Sequence, residues 1–330
     1  MKLSDLKYDY PDELVATEPS RPTRVMWVES GKNPAEISLQ ELIQRIPAGD
    51  VVVLNDTKVL KRRVFAESLE ILFLDQKDDF TWTVLFPSKK YSVGDVIDLH
   101  NGFQMTLVEK GLPQTVRLNK SLTERDFEQM AELPLPPYIQ KARQARHTVQ
   151  ADESWYQTAW AKNAGSFAAP TASLHFTDSD IQKLIDKGVH VLKITLHVGL
   201  GTFLPVKVEN LDDHKMHSEV YTVAESVWSE VLSAQQSGRG IWALGTTVTR
   251  TLETVARTGQ LSGASDLLLQ VGSDFKVVNR LMTNFHQPES TLLALVAGFS
   301  SLAQVQKCYR WAIEKKFKLF SYGDFSVWIK

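Results

Sequence analysis

Apolar and polar positions change their rhythm twice along the chain. Residues 51–54 (VVVL) form a continuous apolar run that stops at Asn55-Asp56-Thr57, the pattern of a buried strand. The segments LEILFL, FTWTVLF, DVIDL, FQMTLV and TVRL then follow at short intervals, rich in β-branched and aromatic residues. Pro87-Ser88, Ser92-Val93-Gly94-Asp95 and Asn101-Gly102 break them apart. That spacing predicts a small antiparallel sheet or barrel ending near the proline-rich segment Leu133-Pro134-Leu135-Pro136-Pro137-Tyr138. After residue 150 strands and helices alternate. DSDIQKLIDKG (178–188) reads as a helix with Asp178 near its start and Gly188 at its end, and HVLKITLHV (190–198) as a strand. AESVWSEVLSAQQSG is a helix, GIWAL a strand and TVTRTLETVARTG a helix. The tail adds the strand FKVVNRLMTN, the helices STLLALVAGF and LAQVQKCYRWAIEKK, and a last strand. Alternation of this kind predicts a mixed α/β core, residues 1–58 plus 151–330, with a small antiparallel β-barrel-like domain inserted at 59–150.

Composition narrows the setting. The longest apolar run, Leu292 to Phe299, falls far short of the ~20 residues a bilayer requires, so no membrane is expected. The opening MKLSDLKYDYPDE has no apolar stretch of the signal-peptide kind. Cys308 has no cysteine to pair with, which suits a reducing, cytoplasmic setting, and its amphipathic surroundings suit ordinary packing. A net charge of −2 does not announce a nucleic-acid binder. The basic residues nonetheless cluster: Lys58, Lys61, Arg62 and Arg63; Lys89 and Lys90; Lys141, Arg143, Arg146 and His147; Lys315, Lys316 and Lys318. Three of these four clusters lie between residues 58 and 147, consistent with one basic face on one module.

Six short polar motifs carry the candidate chemistry. Gly165 to Thr177 sets small residues and Pro170 before Thr171 and His175, a backbone a ligand can approach closely, or equally a tight loop with a helix cap. Leu196-His197-Val198-Gly199-Leu200-Gly201-Thr202 runs a strand into Gly-x-Gly-Thr, and ligands collect at the carboxyl ends of strands in α/β sheets. His214-Lys215-Met216-His217-Ser218-Glu219 has the residue types of a metal site, but in an extended segment His214 faces away from His217 and Glu219. Gly245-Thr246-Thr247-Val248-Thr249-Arg250 sits where a strand turns into a helix, a natural anion site, or else a threonine cap with a surface arginine. Thr283-Asn284-Phe285-His286-Gln287-Pro288-Glu289-Ser290-Thr291 ends a strand with Asn and His before the next helix. Phe320-Ser321-Tyr322-Gly323-Asp324 presents an acid from a tight turn.

There is no Walker loop, Rossmann fingerprint, nucleophile elbow or His-Glu-x-x-His, which argues against nucleotide hydrolysis, NAD chemistry and serine hydrolysis. Two other classes stay open on the residues alone: a metal-dependent hydrolase using His214, His217 and Glu219, and a non-catalytic RNA-binding protein.

Taken in order, the six motifs resemble the S-adenosylmethionine:tRNA ribosyltransferase-isomerase family of queuosine biosynthesis. The likeness extends to Asp9-Tyr10, Pro11 to Ala16, Asn55-Asp56-Thr57, Pro134 to Tyr138 and Tyr156-Gln157-Thr158, so it covers essentially the whole chain. Ser173, Leu200, Gln287, Glu289 and 269–274 depart from the family's usual residues. The resemblance implies that S-adenosylmethionine donates its ribosyl group, as a co-substrate, to 7-aminomethyl-7-deazaguanine at the wobble position of a tRNA with a GUN-type anticodon. Epoxyqueuosine in tRNA, adenine and methionine would result, with no cofactor and no metal, in a monomer. Such chemistry requires a base for the C5′ proton beside the sulfonium and an acid for adenine. The acid–base pool is His175, His197, His217, His286 and Asp324, with His175 and His197 favoured. Asn55, Asp56, Thr171, Gly199, Gly201, Thr202, Thr246, Thr247, Arg250, Asn284 and Tyr322 are the expected substrate contacts, and Asp324, Asp56 or Glu219 the acid near the sulfonium. Lys58, Lys61, Arg62, Arg63, Lys89, Lys90, Lys141, Arg143 and Arg146 are the expected tRNA contacts.

Overall fold

A computed structural model describes residues 1–199, 201 and 206–330. The chain divides into two compact units, Met1–Lys58 with Pro136–Arg146 and Ser154–Lys330, and Val59–Leu135 with His147–Glu153. Residues 136–146, expected in the insert, group with the larger unit. Pro136 and Pro137 start the helix Pro137–Arg143 there instead of ending a barrel, and its Ile139 is fully buried. Proline at the first helical turn costs no hydrogen bond, which is why a proline-rich segment can open a helix.

The larger unit is built on one sheet. Among the described residues its strands are β1 (Arg24–Glu29), β2 (Ala35–Ser38), β3 (Val51–Asn55), β4 (His190–Leu196), β5 (Glu219–Thr222), β6 (Ile241–Leu244), β7 (Ser262–Ser265), β8 (Arg280–Asn284) and β9 (Phe325–Ile329). They lie in the order β7-β5-β4-β3-β6-β8-β9-β1-β2. The centre, β4-β3-β6-β8, is parallel throughout. β3 and β6 are buried at every position, as expected for strands covered on both faces. β9 is antiparallel to β8 and parallel to β1, while β5 and β7 extend the opposite edge in antiparallel fashion. The sheet is therefore mixed. The alternation after residue 150 yields the helices Asp178–Asp186, Glu225–Gln236, Thr246–Thr258, Thr291–Phe299 and Leu302–Glu314 close to the expected bounds. β1 and β2 were not anticipated, although RVMWVE carries the buried positions of a sheet strand.

The core of this unit joins Val52, Leu54, Trp242, Leu244, Met282, Phe325 and Val327 from the sheet to Phe176, Ile181 and Leu184 from the covering helix and turn. Burial of a residue such as Leu184, fully removed from solvent, contributes about 1.5–3 kcal/mol before entropy is counted. No helix among the described residues is long and apolar enough to cross a membrane.

The smaller unit is an open antiparallel sheet of seven short strands, running in order from Ala131–Glu132 through Arg63–Ala66, Leu69–Gln76, Thr81–Leu85, Gln114–Leu118 and Gln104–Glu109 to Val96–Asp98. Each apolar segment singled out in the sequence supplies one of these strands. Phe73, Trp82 and Phe127 meet edge to face at its centre, the last from the helix Glu124–Met130.

Candidate functional site

Four strand ends of the parallel centre point the same way, and a cavity of about 580 Å³ lies in the larger unit beside them. Its wall at β6 is dictated locally. Gly245 follows the buried strand with φ 103°, a conformation open to glycine, and the helix Thr246–Thr258 starts at once. The first amides of a helix lack intrahelical acceptors, so Thr246 and Thr247 bring free N–H groups and the positive end of the helix to the cavity. β8 ends at Thr283 and Asn284, which also line it, followed by Phe285 to Leu292, with Ser290 capping the next helix through the Leu293 amide.

The opposite wall comes from the segment entering β5. His214, Met216, His217 and Glu219 line the cavity. Glu219 and Arg250, each 6% exposed by side chain, form a 2.5 Å ion pair, and the Gly199 amide donates to the other Glu219 oxygen at 3.0 Å. Arg250 also donates to the Leu267 carbonyl. Its guanidinium is thus an internal anchor for Glu219. Gly201 faces the His217 ring, where a Cβ would come within 3.4 Å. Thr171 and the alanines before it complete a third side. Burial and the neighbouring His217 depress the basicity of the His214 ring.

Nine of the expected residues therefore meet in one place: Thr171, Gly201, His217, Glu219, Thr246, Thr247, Arg250, Asn284 and His286. His286 is 9% exposed; its Nε2 lies 2.8 Å from the Thr283 hydroxyl, and burial lowers its pKa to about 3. The ring is neutral at physiological pH. Tyr138 and Tyr156 also line the cavity and had been given no role. Burial pushes the Tyr138 phenol up to about 12, and its hydroxyl hydrogen-bonds Ser321. Their signal was the family-like motifs Pro134 to Tyr138 and Tyr156-Gln157-Thr158, which carried no residue role. Glu289 and Phe320, both lining residues, hold φ of 54° and 69°, left-handed backbone that non-glycine residues adopt at a cost.

Other expected residues lie elsewhere. His175, on the far side of the 3₁₀ turn Thr171–His175, is 4% exposed and stands behind Asn284, whose Nδ2 is 2.9 Å from its Nε2. Burial, reinforced by Arg21, lowers its pKa to about 3. His197 is outside the cavity lining, with Nδ1 2.8 Å from the Thr57 hydroxyl and its ring against Gly165. Asn55 spends its amide on both backbone groups of Leu196 and on the Thr57 amide. Asp56 accepts from Asn163 and from Thr195 at 2.6 Å. Asp324, 1% exposed, accepts from Ser20 and from the amides of Arg24 and Lys318, locking the turn that was expected to present it. Tyr322 is buried against Trp155 and Tyr156, and Gly199 acts through Glu219. Thr202 and Leu200 fall outside the described residues.

The basic clusters also separate. Arg62 and Arg63, 5% and 1% exposed, are not surface cations: Arg62 pairs with Glu124 at 2.5 Å and lies 4.1 Å over the Phe127 ring, and Arg63 pairs with Glu132 at 2.9 Å. Arg63 opens the strand Arg63–Ala66 and Arg62 precedes it, and both side chains are buried in the unit, where pairing compensates the charge. Lys61 contacts Glu128 and Glu153, and Arg143 donates to the Thr17 carbonyl. Lys58, Lys89, Lys90, Lys141 and Arg146 are exposed, Lys89 and Lys90 in the smaller unit and the others in the larger. The clusters expected to share one module are thus divided between two. No group of three or more His, Cys, Asp or Glu among the described residues could hold a metal, and Glu219, the acid of that alternative, is ion-paired with Arg250.

Residues 3–328 match the family model described as queuosine biosynthesis protein. The chain is 36% identical to the S-adenosylmethionine:tRNA ribosyltransferase-isomerase of Halothermothrix orenii and 38% identical to that of Desulfitobacterium hafniense, in each case over 98% of both chains. It is similar in structure to the S-adenosylmethionine tRNA ribosyltransferase of Thermotoga maritima, with a TM-score of 0.57 and 27% identity over 99% of this chain and 100% of that one.

Proposed function

The chain belongs to the queuosine biosynthesis protein family, and from that premise we propose that it is an S-adenosylmethionine:tRNA ribosyltransferase-isomerase. It transfers and isomerises the ribosyl group of S-adenosylmethionine onto 7-aminomethyl-7-deazaguanine at the wobble position of tRNAs with GUN-type anticodons, releasing adenine and methionine. The observation that carries the reading is the meeting of residues from all six motifs around one cavity at the strand ends of an enzyme-like sheet.

Each wall suits one part of the co-substrate. The amides of Thr246 and Thr247 at the helix start take the methionine carboxylate. Glu219, held by Arg250 and Gly199, keeps lone pairs free to face the sulfonium. His217, exposed at the wall, removes the C5′ proton, while His286 and Asn284 act as neutral hydrogen-bonding groups. Thr171 and Gly201 border the ribose and leave room for it. The larger unit is the catalytic core and the smaller one an inserted β-rich domain. Exposed Lys58, Lys89, Lys90, Lys141 and Arg146 contact phosphates, whereas Arg62 and Arg63 do not. The enzyme works as a cytoplasmic monomer without a cofactor.

Incubation with S-adenosylmethionine and tRNA bearing the aminomethyl base tests this. Free adenine together with a nucleoside heavier by the ribosyl-derived group is expected, with a KM for tRNA that rises steeply with salt. A folded protein that releases no adenine from both substrates together would sink the reading.

A further inference from the structure

The reaction outlined above gives His175 no role and leaves open which atom of Asn284 meets the substrate; their hydrogen bonds decide both. Asn284 is 2% exposed and lines the cavity. Its amide nitrogen faces three acceptors: His175 Nε2 at 2.9 Å, the Phe320 carbonyl at 3.0 Å and the Ser321 carbonyl at 3.3 Å. Turning the amide over would press its oxygen against two carbonyl oxygens, so the orientation is fixed. Two consequences follow. Nε2 of His175 must offer a lone pair, which leaves the hydrogen on Nδ1, from which it is donated to the Thr23 hydroxyl oxygen at 3.3 Å; that hydroxyl in turn donates a hydrogen bond to the Ser20 carbonyl at 3.2 Å. The second is that every N–H of Asn284 is spent within the protein, while Oδ1, on the other arm of the amide, meets no donor.

We infer that His175 is a positioning residue whose neutral ring fixes the Asn284 amide so that Oδ1 stands as a dedicated acceptor for an N–H donor of the bound substrate. The inference rests on the reading of the cavity as the substrate site. It reassigns His175 from the acid–base pool to the support of a specificity contact. The groups facing the ring agree with a neutral imidazole: Phe325 packs on it at 4.9 Å between centroids, Arg21 is the charged neighbour and repels a proton, and Thr23 and Asn284 occupy its two nitrogens. The donor is an amino group of either S-adenosylmethionine or the RNA-borne base. A substrate offering only an acceptor there would leave two lone pairs opposed, which is the strongest form of rejection a hydrogen-bonded site exerts.

The test uses the full chain. Asn284→Ala should raise KM about tenfold for the substrate that supplies the donor, with kcat held, the signature of a contact made in ground and transition state alike. Calorimetric titration with S-adenosylmethionine alone assigns the source: weakened binding means its own amino group, unchanged binding with a raised tRNA KM means the base. His175→Leu should reproduce that rise, the double variant should be no worse than Asn284→Ala, and His175→Gln, whose amide oxygen can accept from Asn284, should recover wild-type values. Nitrogen-15 spectra of the unmutated protein should report a protonated Nδ1 and a bare Nε2 on His175 from pH 5 to 8, a readout independent of activity and of how any variant folds. Asn284→Ala with both KM values unchanged would overturn the acceptor assignment. A His175 that titrates in that range, or a His175→Gln variant that loses turnover together with one limb of its pH profile, would return His175 to proton transfer. If the unmutated chain turns over neither substrate, the reading of the cavity fails instead, and the spectra still decide the tautomer.

Discussion

Two groups of polar residues sit at the carboxyl ends of neighbouring strands in the same sheet, and they use their hydrogen-bonding capacity in opposite ways. At β3 and β4, Asn55, Asp56, Thr57, Asn163, Thr195 and His197 satisfy one another: the Asn55 amide closes on Leu196 and the Thr57 amide, Asp56 takes two side-chain donors, and Thr57 meets His197. At β6, β8 and the entry to β5, capacity is left over. The helix start at Thr246 and Thr247 has amides without intrahelical acceptors, Glu219 spends only part of its lone pairs, and Asn284 Oδ1 has no donor. The first group clamps strands together and the second lines a cavity. Residue type at a strand end does not separate these cases; the unspent donors and acceptors do.

The comparison is broken most forcefully at Arg250. Its replacement by Met leaves Glu219 as a buried carboxylate with only the Gly199 amide, and should destabilise the protein by about 3–5 kcal/mol in denaturant unfolding. The double variant Arg250→Met with Glu219→Leu should regain most of that loss while remaining inactive, since the acid near the sulfonium is gone. Equal stability of single and double variants would mean that the pair is not buried together in solution.

A smaller effect is expected from the saturated group. Asp56→Ala removes the acceptor of Asn163 and Thr195 and should cost about 1–3 kcal/mol, with turnover per folded molecule unchanged. Lost turnover in a fully folded variant would move the β3–β4 network into the site and erase the distinction.

Much of this was legible in the sequence, because local rules and tertiary structure agree there. GIWAL followed by Gly-Thr-Thr announces a strand turning into a helix, and Ile241–Leu244 and Thr246–Thr258 follow it closely. The short β-branched segments of the smaller unit likewise became strands. What could not be read was direction and company. His175 is four residues from Thr171 and sits beside small side chains, yet one turn of 3₁₀ helix puts Thr171 at the cavity and His175 behind it. Arg62 and Arg63 look like half of a basic cluster, but their partners Glu124 and Glu132 are some sixty to seventy positions away. Asp324 looks like a presented acid until the amides of Arg24 and Lys318 close on it.

The buried histidines give the finest test of the contrast. His286 lines the cavity with a folded pKa of about 3, whereas an unfolded chain holds histidine near 6.5. Below pH 6.5 the unfolded state binds a proton that the folded state refuses. Stability therefore falls as the pH drops through this window, by about 1.4 kcal/mol per pH unit for each such histidine, until the folded pKa near 3 is reached. Denaturant unfolding at pH 7, 6 and 5 should show His286→Gln losing less stability than the unmodified chain by about that amount per unit. An unaltered slope would mean that the His286 ring takes up its proton in the folded state, and that the cavity at β8 is as wet as the surface.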